Sequence, residues 1–289
     1  MRHPDIAFLN GQYLPKNEAR ISPMDRGFLF GDGIYEVVPC HNRSPIALQR
    51  HIDRLQRNLK AIGMKTDQSD SHWRSIITTL AQKSPTEHCG IYLHVSRGAS
   101  PKRHHTYSED LTPTEFAYSF QIPPPPTSAN KPTTGLRLCS QEDLRWLHCD
   151  VKVTALLGNV LHYQHAVEAG FDEALLYRRD GKITEASASN VFCIRDSVIY
   201  TPALDHTLLP GITRGLVIDV LRDNSNVNVL EQDLTLADFL EADEVWLSSS
   251  TRELAPVTQI DERVIGNGDI GPMWTRVIDL FQQHKYEYA

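Results

Sequence analysis

The pattern of apolar and polar positions predicts helices and strands in alternation over the first part of the chain. Two sets of apolar residues recur at the three- and four-residue steps of a helix face: Ile52, Leu55, Leu59 and Ile62, and then Trp73, Ile76, Ile77 and Leu80. Gly63 suits the end of the first helix. Alternation predicts strands at 91–95 and 115–122, and Asn10-Gly11 predicts a hairpin turn after residues 6–9.

Four consecutive prolines, Pro123 to Pro126, interrupt this alternation. Proline removes a backbone donor, so such a run cannot join a helix or a central strand, and it favours a stiff extended connector. We therefore expect a smaller N-terminal α/β domain at 1–121, a linker at 122–132 and a larger domain at 133–289. The alternative is a long surface loop within one domain, although loops of that length are uncommon.

More and shorter elements are predicted after the prolines. Strands are expected around 136–139, 173–178, 190–195, 198–201 and 244–249, and helices at about 153–169, 213–223, 235–241 and 273–285. No internal repeat is visible, which argues against a solenoid or a propeller. The chain is therefore predicted to be a mixed α/β (α+β) protein with two lobes.

Composition and charge narrow the class of protein. The chain has 289 residues, of which 40% are hydrophobic and 22% charged, as in ordinary globular proteins. Its net charge of −7 argues against a nucleic-acid partner, because affinity for DNA or RNA rests on neutralising phosphates. No signal peptide and no apolar run of membrane-spanning length is recognisable, so no membrane partner is expected. Five scattered cysteines without a Cys-x-x-Cys pair predict reduced thiols in a cytoplasmic protein and no metal site.

Lys152 is the most suggestive single residue. It follows Cys149-Asp150-Val151 and opens an apolar run that continues to Leu157. An amine in apolar surroundings loses hydration, which favours the neutral form that Schiff-base chemistry needs. The alternative is a lysine whose stem packs on apolar surface while its ammonium reaches water.

Two segments could bind an anion. Gly211 opens the helix predicted at 213–223, and free N–H groups at a helix start suit a phosphate; an ordinary helix start is the alternative. The stretch Ser248–Thr251 would add hydroxyl donors or is only a polar turn. Glu185 lies among small polar residues. Its carboxylate would hold the ring nitrogen of a ligand protonated; the alternative is a charged side chain in a solvated loop.

A cationic loop and a glycine-rich segment complete the candidates. Lys102-Arg103-His104-His105 would pair with the carboxylate of a small acid, and a solvated charge run is the alternative. The segment Gly27–Gly33 lacks the Gly-x-Gly-x-x-Gly spacing, so we expect tight turns that lead to Tyr35 and Glu36 on a strand. No motif of serine hydrolases, zinc proteases or nucleotide-cleaving P-loops occurs in the sequence.

Several segments and their order support a family assignment. They are Asp25-Arg26-Gly27 with Phe30-Gly31-Asp32-Gly33-Ile34-Tyr35-Glu36-Val37, His51-Ile52-Asp53-Arg54-Leu55, Asp143-Leu144-Arg145-Trp146, Cys149-Asp150-Val151-Lys152, Thr184-Glu185 with Ser189-Asn190-Val191-Phe192, Gly211-Ile212-Thr213-Arg214 and Ser250-Thr251-Arg252-Glu253. From about residue 6 to about residue 280, the chain resembles the fold-type-IV pyridoxal-phosphate aminotransferases, and most of all the bacterial D-amino-acid (D-alanine) transaminases. The resemblance implies a smaller N-terminal α/β lobe, a larger C-terminal pseudo-barrel lobe and a homodimer in which loops of one subunit border the partner's active site.

The resemblance also implies roles for individual residues. Lys152 would form the Schiff base with pyridoxal 5′-phosphate and move the proton between the substrate Cα and the cofactor, and Glu185 would keep the pyridine nitrogen protonated. Leu209 would pack against the ring. The phosphate would bind to Arg54, to the backbone N–H groups of Ile212 and Thr213, and to Ser250 and Thr251.

The substrate loop departs from the family pattern. Relatives carry Pro-Arg-x-His there, and the arginine and histidine bind the substrate α-carboxylate together with a tyrosine that matches Tyr35. Without a gap, Lys102 and His104 would take these roles. With a one-residue insertion, Arg103 and His105 take them, and we favour this choice because a guanidinium binds a carboxylate with two parallel hydrogen bonds.

The expected activity is transfer of the amino group from a D-amino acid such as D-alanine to 2-oxoglutarate, giving pyruvate and D-glutamate. Branched-chain L-amino-acid aminotransferases and aminodeoxychorismate lyases share the fold and are the alternatives. A cofactor-binding protein without transaminase activity is an alternative of another class, and nucleic-acid binding through residues 102–105 is a third.

Overall fold

The computed structural model describes residues 5–288, which form two compact units. The first unit runs to Pro124 and also takes in the later segment Val151–Leu156. The second unit consists of Pro125–Asp150 and Leu157–Tyr288. The domain limits expected from the sequence remain a prediction, which expression of the separate pieces would test.

The first unit is built on a six-stranded antiparallel sheet. Its strands are β1 Ile6–Leu9, β2 Gln12–Pro15, β3 Gly33–His41, β4 Ser44–Pro45, β5 Cys89–Ser96 and β6 Thr114–Gln121. They lie in the order β2-β1-β6-β5-β3-β4. The predicted hairpin is confirmed, because Asn10 and Gly11 both have positive φ, as a two-residue turn between twisted strands requires.

Helices cover one face of this sheet. They are α2 Leu48–Ala61 and α3 Asp70–Lys83; the unit also contains the short helix α1 Arg26–Phe30 and a 3-10 turn at Lys16–Glu18. The two predicted helices are confirmed as α2 and α3. Their apolar faces are buried in one core with the inward residues of β3 and β5. The residues that alternate with these on β3 and β5 therefore project from the other face of the sheet.

The helix α1 replaces the tight turns expected over Gly27–Gly33. Asp25 caps it by accepting a hydrogen bond from Gly27 N at 2.8 Å. Gly31 ends it in the left-handed region at φ +67°, and a Cβ there would come within 2.9 Å of Ala155. Only glycine satisfies both conditions, so the helix stops and β3 begins at a fixed point.

The segment Val151–Leu156 completes the first unit by pairing with the start of β3. Tyr35 N donates to Lys152 O at 3.1 Å, and Thr154 N donates to Gly33 O at 2.9 Å. The helix predicted from residue 153 is therefore wrong over its first four residues, since α4 begins only at Leu157. Part of the backbone of 151–156 is hydrogen-bonded to β3, which an α-helix would not allow.

The second unit contains a nine-stranded mixed sheet. Its strands are β7 Leu136–Glu142, β8 Glu173–Tyr177, β9 Ile183–Ala186, β10 Asn190–Arg195, β11 Val198–Pro202, β12 Val229–Gln232, β13 Glu244–Ser249, β14 Glu253–Ile260 and β15 Arg263–Val264. The order is β12-β11-β10-β13-β14-β7-β8-β9, and β15 pairs with β14. The strands expected in this part are confirmed, whereas β9, β12, β14 and β15 were not predicted.

The proline within β14 explains one of these omissions. Proline inside an apolar run argues against a central strand. Pro256 lies opposite Trp246 of β13, and the pairing of β14 with β7 starts only at Val257. The N–H group that Pro256 lacks therefore falls where β14 pairs with β13 alone, so the proline leaves no ladder partner on β7 unsatisfied.

Helices complete the second unit. They are α4 Leu157–Glu168, α5 Ile212–Asn224, α6 Leu236–Leu240 and α7 Pro272–His284. The last three match the predicted positions, and the mixed α/β class is confirmed. No helix within residues 5–288 has both the length and the apolar character needed to cross a membrane.

Candidate functional site

Lys152 is held beside Tyr35 by the backbone pairing of its segment. Val153 forms a bridge with Ile34 and enters the core of the first unit, so its neighbour Lys152 projects to the other face. There Nζ donates to the Tyr35 hydroxyl at 3.1 Å and lies 4.2 Å from the centroid of that ring. The structure thus brings together two of the predicted site residues and fixes a partly buried amine against a phenol.

Arg54 belongs to a buried network of hydrogen bonds in the first unit. Its Nε and Nη2 donate to the two carboxylate oxygens of Glu36 at 2.7 and 2.8 Å, and His51 Nδ1 lies 2.7 Å from Glu36. Burial raises the pKa of Glu36, but the charge and hydrogen bonds of Arg54 outweigh it and hold that pKa well below its usual range. Burial lowers the pKa of His51. Arg54 is therefore oriented by an ionised Glu36, a role that the sequence did not reveal.

The cationic loop lies beside one aromatic ring. The guanidinium carbon of Arg103 is 5.0 Å from the Phe30 centroid, and the His105 ring centroid is 5.5 Å from it. By contrast, His104 Nδ1 is hydrogen-bonded to the Thr106 hydroxyl at 2.6 Å. The main-chain carbonyl of Lys102 accepts a hydrogen bond from the Ser100 hydroxyl. The structure groups Arg103 with His105, and all four loop side chains are exposed.

In the second unit, Glu185 lies on β9 rather than in a loop. Its Oε1 accepts from Arg145 Nη1 at 2.7 Å, and its Oε2 accepts from Asn190 Nδ2 at 3.2 Å and from Leu209 N at 3.1 Å. Burial raises the pKa of Glu185, and the charge of Arg145 opposes that shift. The predicted residues Glu185 and Leu209 are therefore in contact, around a buried carboxylate with three donors.

Arg145 is a site residue that the sequence reasoning missed. It donates through Nε and Nη2 to both carboxylate oxygens of Asp143, at 3.0 and 2.9 Å, in addition to its contact with Glu185. Burial lowers the pKa of Arg145, but the two carboxylates outweigh it and keep the guanidinium charged. Its motif contributed to the resemblance, yet forty residues separate it from Glu185 and no spacing rule indicates contact.

The start of α5 offers backbone donors. No side chain within residues 5–288 caps this helix, whose first residues are Ile212 and Thr213. A Cβ at the preceding Gly211 would come 2.0 Å from Asn190 Oδ1, so the approach of Asn190 requires glycine. The N–H groups at this helix start are therefore available to an anion.

Hydroxyl groups lie at the end of β13. Ser250 and Thr251 occupy the partly exposed turn that joins β13 to β14. Ser248 Oγ just before them is buried and has no hydrogen-bond partner among the described residues. A buried hydroxyl usually has a partner, so a bound polar group is expected here.

Comparison with known proteins assigns the chain to a family. Residues 33–260 match the model of the amino-transferase class IV family. A D-alanine aminotransferase of Bacillus licheniformis is 38% identical over 94% of both chains. The branched-chain amino acid aminotransferase of Escherichia coli has the same fold, with a TM-score of 0.86 and 20% identity over 99% of this chain and 96% of that one. A structure described as a 4-amino-4-deoxychorismate lyase of Legionella pneumophila gives a TM-score of 0.80 and 24% identity over 93% and 96%. The prediction from the sequence motifs is thus confirmed, and the chain belongs to the class IV aminotransferases.

Proposed function

We propose that this chain is a transaminase that moves the amino group of a D-amino acid, D-alanine foremost, to 2-oxoglutarate, with pyridoxal 5′-phosphate as its cofactor. The products are pyruvate and D-glutamate. The observation that carries the proposal is the amine of Lys152, fixed by main-chain pairing against Tyr35. The preference for the D-amino acid rests on the relative named D-alanine aminotransferase, since the branched-chain neighbour agrees in fold only.

The donor set fits the cofactor. Pyridoxal phosphate presents an aldehyde, a ring nitrogen and a phosphate. The described residues offer an amine at Lys152, a buried carboxylate at Glu185 and a pre-oriented guanidinium at Arg54. The uncapped start of α5 and the unpartnered hydroxyl of Ser248 add donors that suit an anion. Each functional group of the cofactor therefore has a matching group on this chain.

Lys152 carries the proton transfer. When bound, the cofactor supplies a ring that withdraws electrons from the substrate Cα once its proton leaves. Nζ of Lys152 would hold the cofactor covalently, and once free it would take the proton from the substrate Cα as a base and give it back as an acid. The Tyr35 hydroxyl accepts from Nζ, so it holds the amine in position between these two events.

Glu185 and Arg145 would set the protonation state of the pyridine nitrogen of the cofactor. Glu185 would accept a hydrogen bond from the pyridine nitrogen of the cofactor and would stabilise the protonated form of that nitrogen. The three donors on Glu185 favour the carboxylate over the carboxylic acid, which opposes the effect of burial. Leu209 supplies one of these donors through its N–H, and its side chain would pack against the cofactor ring.

The remaining residues bind the two acidic ends of the reactants. The cofactor phosphate would be bound by Arg54, by the N–H groups of Ile212 and Thr213, and by the hydroxyls of Ser250 and Thr251. Arg103, His105 and Tyr35 bind the substrate α-carboxylate. The choice of Arg103 and His105 over Lys102 and His104 is supported by the shared contact with Phe30.

The half-reaction tests this proposal. The visible spectrum of the purified protein with its cofactor is measured before and after D-alanine is added, with L-leucine in a parallel cuvette. We expect the yellow band to bleach with D-alanine only, because the amino group then moves to the cofactor.

Other outcomes of the same experiment contradict the proposal. Bleaching with L-leucine alone would favour a branched-chain enzyme. A yellow protein that neither amino acid changes would indicate a lyase or a cofactor-binding protein. A colourless protein that takes up no pyridoxal phosphate would overturn the assignment of the cofactor.

A homodimer is part of the proposal. The second unit exposes an apolar surface, here termed the α4 patch, that consists of Leu144, Trp146, Leu147, Leu157, Val160 and Leu161. Leu144 N donates to His162 Nε2 at 3.2 Å, which ties the loop half of the patch to α4. Exposed apolar patches of this kind mark interfaces, and a second copy is the occupant that family membership favours.

Charge placed in the α4 patch should separate the subunits. We expect Leu157→Glu combined with Leu161→Glu to shift the protein from dimer to monomer in sedimentation velocity, because two carboxylates would be desolvated in the interface. Val264→Glu, at an exposed apolar residue of β15, is the matched control and should leave the dimer intact. An unchanged dimer in the double variant would place the interface elsewhere.

A cytoplasmic location is proposed from the thiols. All five cysteines are free thiols, whereas disulfides form and persist in oxidising compartments.

A further inference from the structure

The loop that carries Arg103 and His105 has no regular structure of its own. It joins the end of β5 at Ser96 to the start of β6 at Thr114, and residues 101–110 are all exposed. An exposed loop of polar residues gains little from burial to offset its conformational entropy. Residues that bind a substrate carboxylate need a fixed position, so another part of the unit has to hold this loop.

Asp25 holds the base of the loop. Its two carboxylate oxygens accept from Ser96 Oγ and Thr114 Oγ1, both at 2.6 Å, and these two residues end β5 and begin β6. The main chain at this point also binds the start of the loop. Asp25 forms an antiparallel β-bridge with Ala99, and Arg26 N donates to Gly98 O at 2.9 Å. The segment that leads into α1 therefore fixes both ends of the loop.

Arg26 holds the functional part of the loop. Its side chain is buried, and its guanidinium donates to three successive carbonyls: His104 O at 2.6 Å, His105 O at 3.0 Å and Thr106 O at 3.4 Å. Its Nε donates to Asp32 at 2.7 Å, and this carboxylate neutralises the charge of the guanidinium and fixes its orientation. Lysine carries its three N–H donors on one nitrogen and lacks the planar guanidinium, so it cannot span three successive carbonyls and Asp32 in this way.

The far side of the loop is attached in the same manner. Arg97 stacks on Tyr107, with 3.7 Å between the guanidinium carbon and the ring centroid, and donates to the same Asp32 that Arg26 binds. Burial raises the pKa of Asp32, but the two arginines outweigh it and lower that pKa. The cationic loop is thus fastened by two arginines that share one carboxylate.

We infer that Arg26 is a positioning residue for substrate binding: it fixes the backbone at 104–106 so that Arg103 and His105 lie together over Phe30, and it does not itself touch the substrate. Phe30 ends the same short helix that carries Arg26, so the backbone anchor and the aromatic contact move as one body. This inference rests on the proposed function, in which Arg103 and His105 bind the α-carboxylate.

The test uses Arg26→Lys in the full-length holoenzyme, with Arg20→Lys as the matched control. Arg20 is an exposed arginine that also donates to main-chain carbonyls, those of Asn17 and Ala19. For Arg26→Lys we expect KM for D-alanine to rise about tenfold, the effect of losing one or two hydrogen bonds, with little change in kcat or in the affinity for pyridoxal phosphate. Arg20→Lys should leave all three unchanged.

A combined variant separates positioning from a general structural effect. If Arg26 acts through the loop, adding Arg26→Lys to a chain that already carries Arg103→Met and His105→Ala should change KM by no more than about twofold. If the effect of Arg26→Lys persists in that background, Arg26 acts independently of these two residues and the inference is overturned. An unchanged KM in Arg26→Lys overturns it as well.

Limited proteolysis distinguishes failure of this inference from failure of the proposed function. Trypsin cuts after Lys102 and Arg103, and Arg26→Lys should speed cleavage there, whether or not the protein is a transaminase. An inactive wild type with faster cleavage in the variant would refute the proposed function, and the substrate role with it, while the anchoring of the loop stands. Equal cleavage in variant and wild type refutes the anchor itself.

Discussion

Replacing Lys152 by alanine is expected to reduce transamination by about 10³-fold or more, since the same amine binds the cofactor and transfers the proton. The fold should survive the change. The contacts that hold residues 151–156 against β3 are main-chain hydrogen bonds to Gly33 and Tyr35, and the side chain of Lys152 takes no part in them. Rates of the D-alanine half-reaction and of full turnover would measure the loss.

The control for this variant is Lys182→Ala. Lys182 is half-exposed and forms a surface ion pair with Asp233, so its removal should not affect turnover. Borohydride reduction gives a second readout, because it should fix the cofactor to the wild-type chain and leave the Lys152→Ala chain unlabelled. Near-normal turnover in Lys152→Ala would refute the assignment of this lysine.

The largest expected effect on stability is that of Arg145→Met. This change leaves Asp143 and Glu185 buried without their shared cation, and loss of one member of a buried ion pair lowers the free energy of unfolding by about 3–5 kcal/mol. Arg179→Met is the matched control, since Arg179 forms an ion pair of the same 2.7 Å length with Glu142 at the surface. Urea unfolding should show a large shift for the first variant and almost none for the second.

The deficit of Arg145→Met should depend on pH in a defined direction. In the wild-type chain, burial raises the pKa of Asp143, but Arg145 outweighs it and lowers that pKa. Without Arg145, Glu185 loses the charge that opposes burial, so its pKa rises further above that of the unfolded chain. Asp143 keeps only the charge of Arg178, at 3.5 Å, so its pKa rises from its lowered value. The folded variant then binds more protons than its unfolded state, so its stability increases as pH falls. We expect the difference from wild type to shrink as the pH is lowered from neutral; a difference that grows would contradict this account.

Local patterns were enough to predict the two long helices of the first unit. The apolar residues of α2 and α3 recur at helical steps, and each helix buries the face that this spacing defines. The hairpin at Asn10-Gly11 followed from the backbone freedom of those two residues. In each case the deciding interactions lie within a few residues of one another.

The segment around Lys152 could not be predicted in this way. Its apolar run reads as the first turn of a helix, but its backbone bonds are made to β3, more than a hundred residues earlier. The functional importance of Lys152 came from the family resemblance, whereas the extended conformation that positions it came from the structure. A long-range pairing of this kind leaves no periodic signal in the sequence.

The same holds for the charges that surround the site. Glu36, Arg54 and Glu185 all belong to recognisable motifs, but the motifs do not say which charges pair. That Arg54 is bound by Glu36 and that Arg145 is shared by two carboxylates depends on how strands far apart in the sequence align. The sequence therefore indicated which residues matter and left open how their charges are balanced.

The return of Val151–Leu156 to the first unit has a consequence for synthesis on the ribosome. Translation produces residues 125–150 before the last strand-like piece of the first unit leaves the exit tunnel. Until then, β3 lacks its neighbour at Gly33 and Tyr35, and an open strand edge invites pairing with other chains. A nascent chain that stalls at the proline run should consequently expose an aggregation-prone edge and lack the lysine that would capture the cofactor.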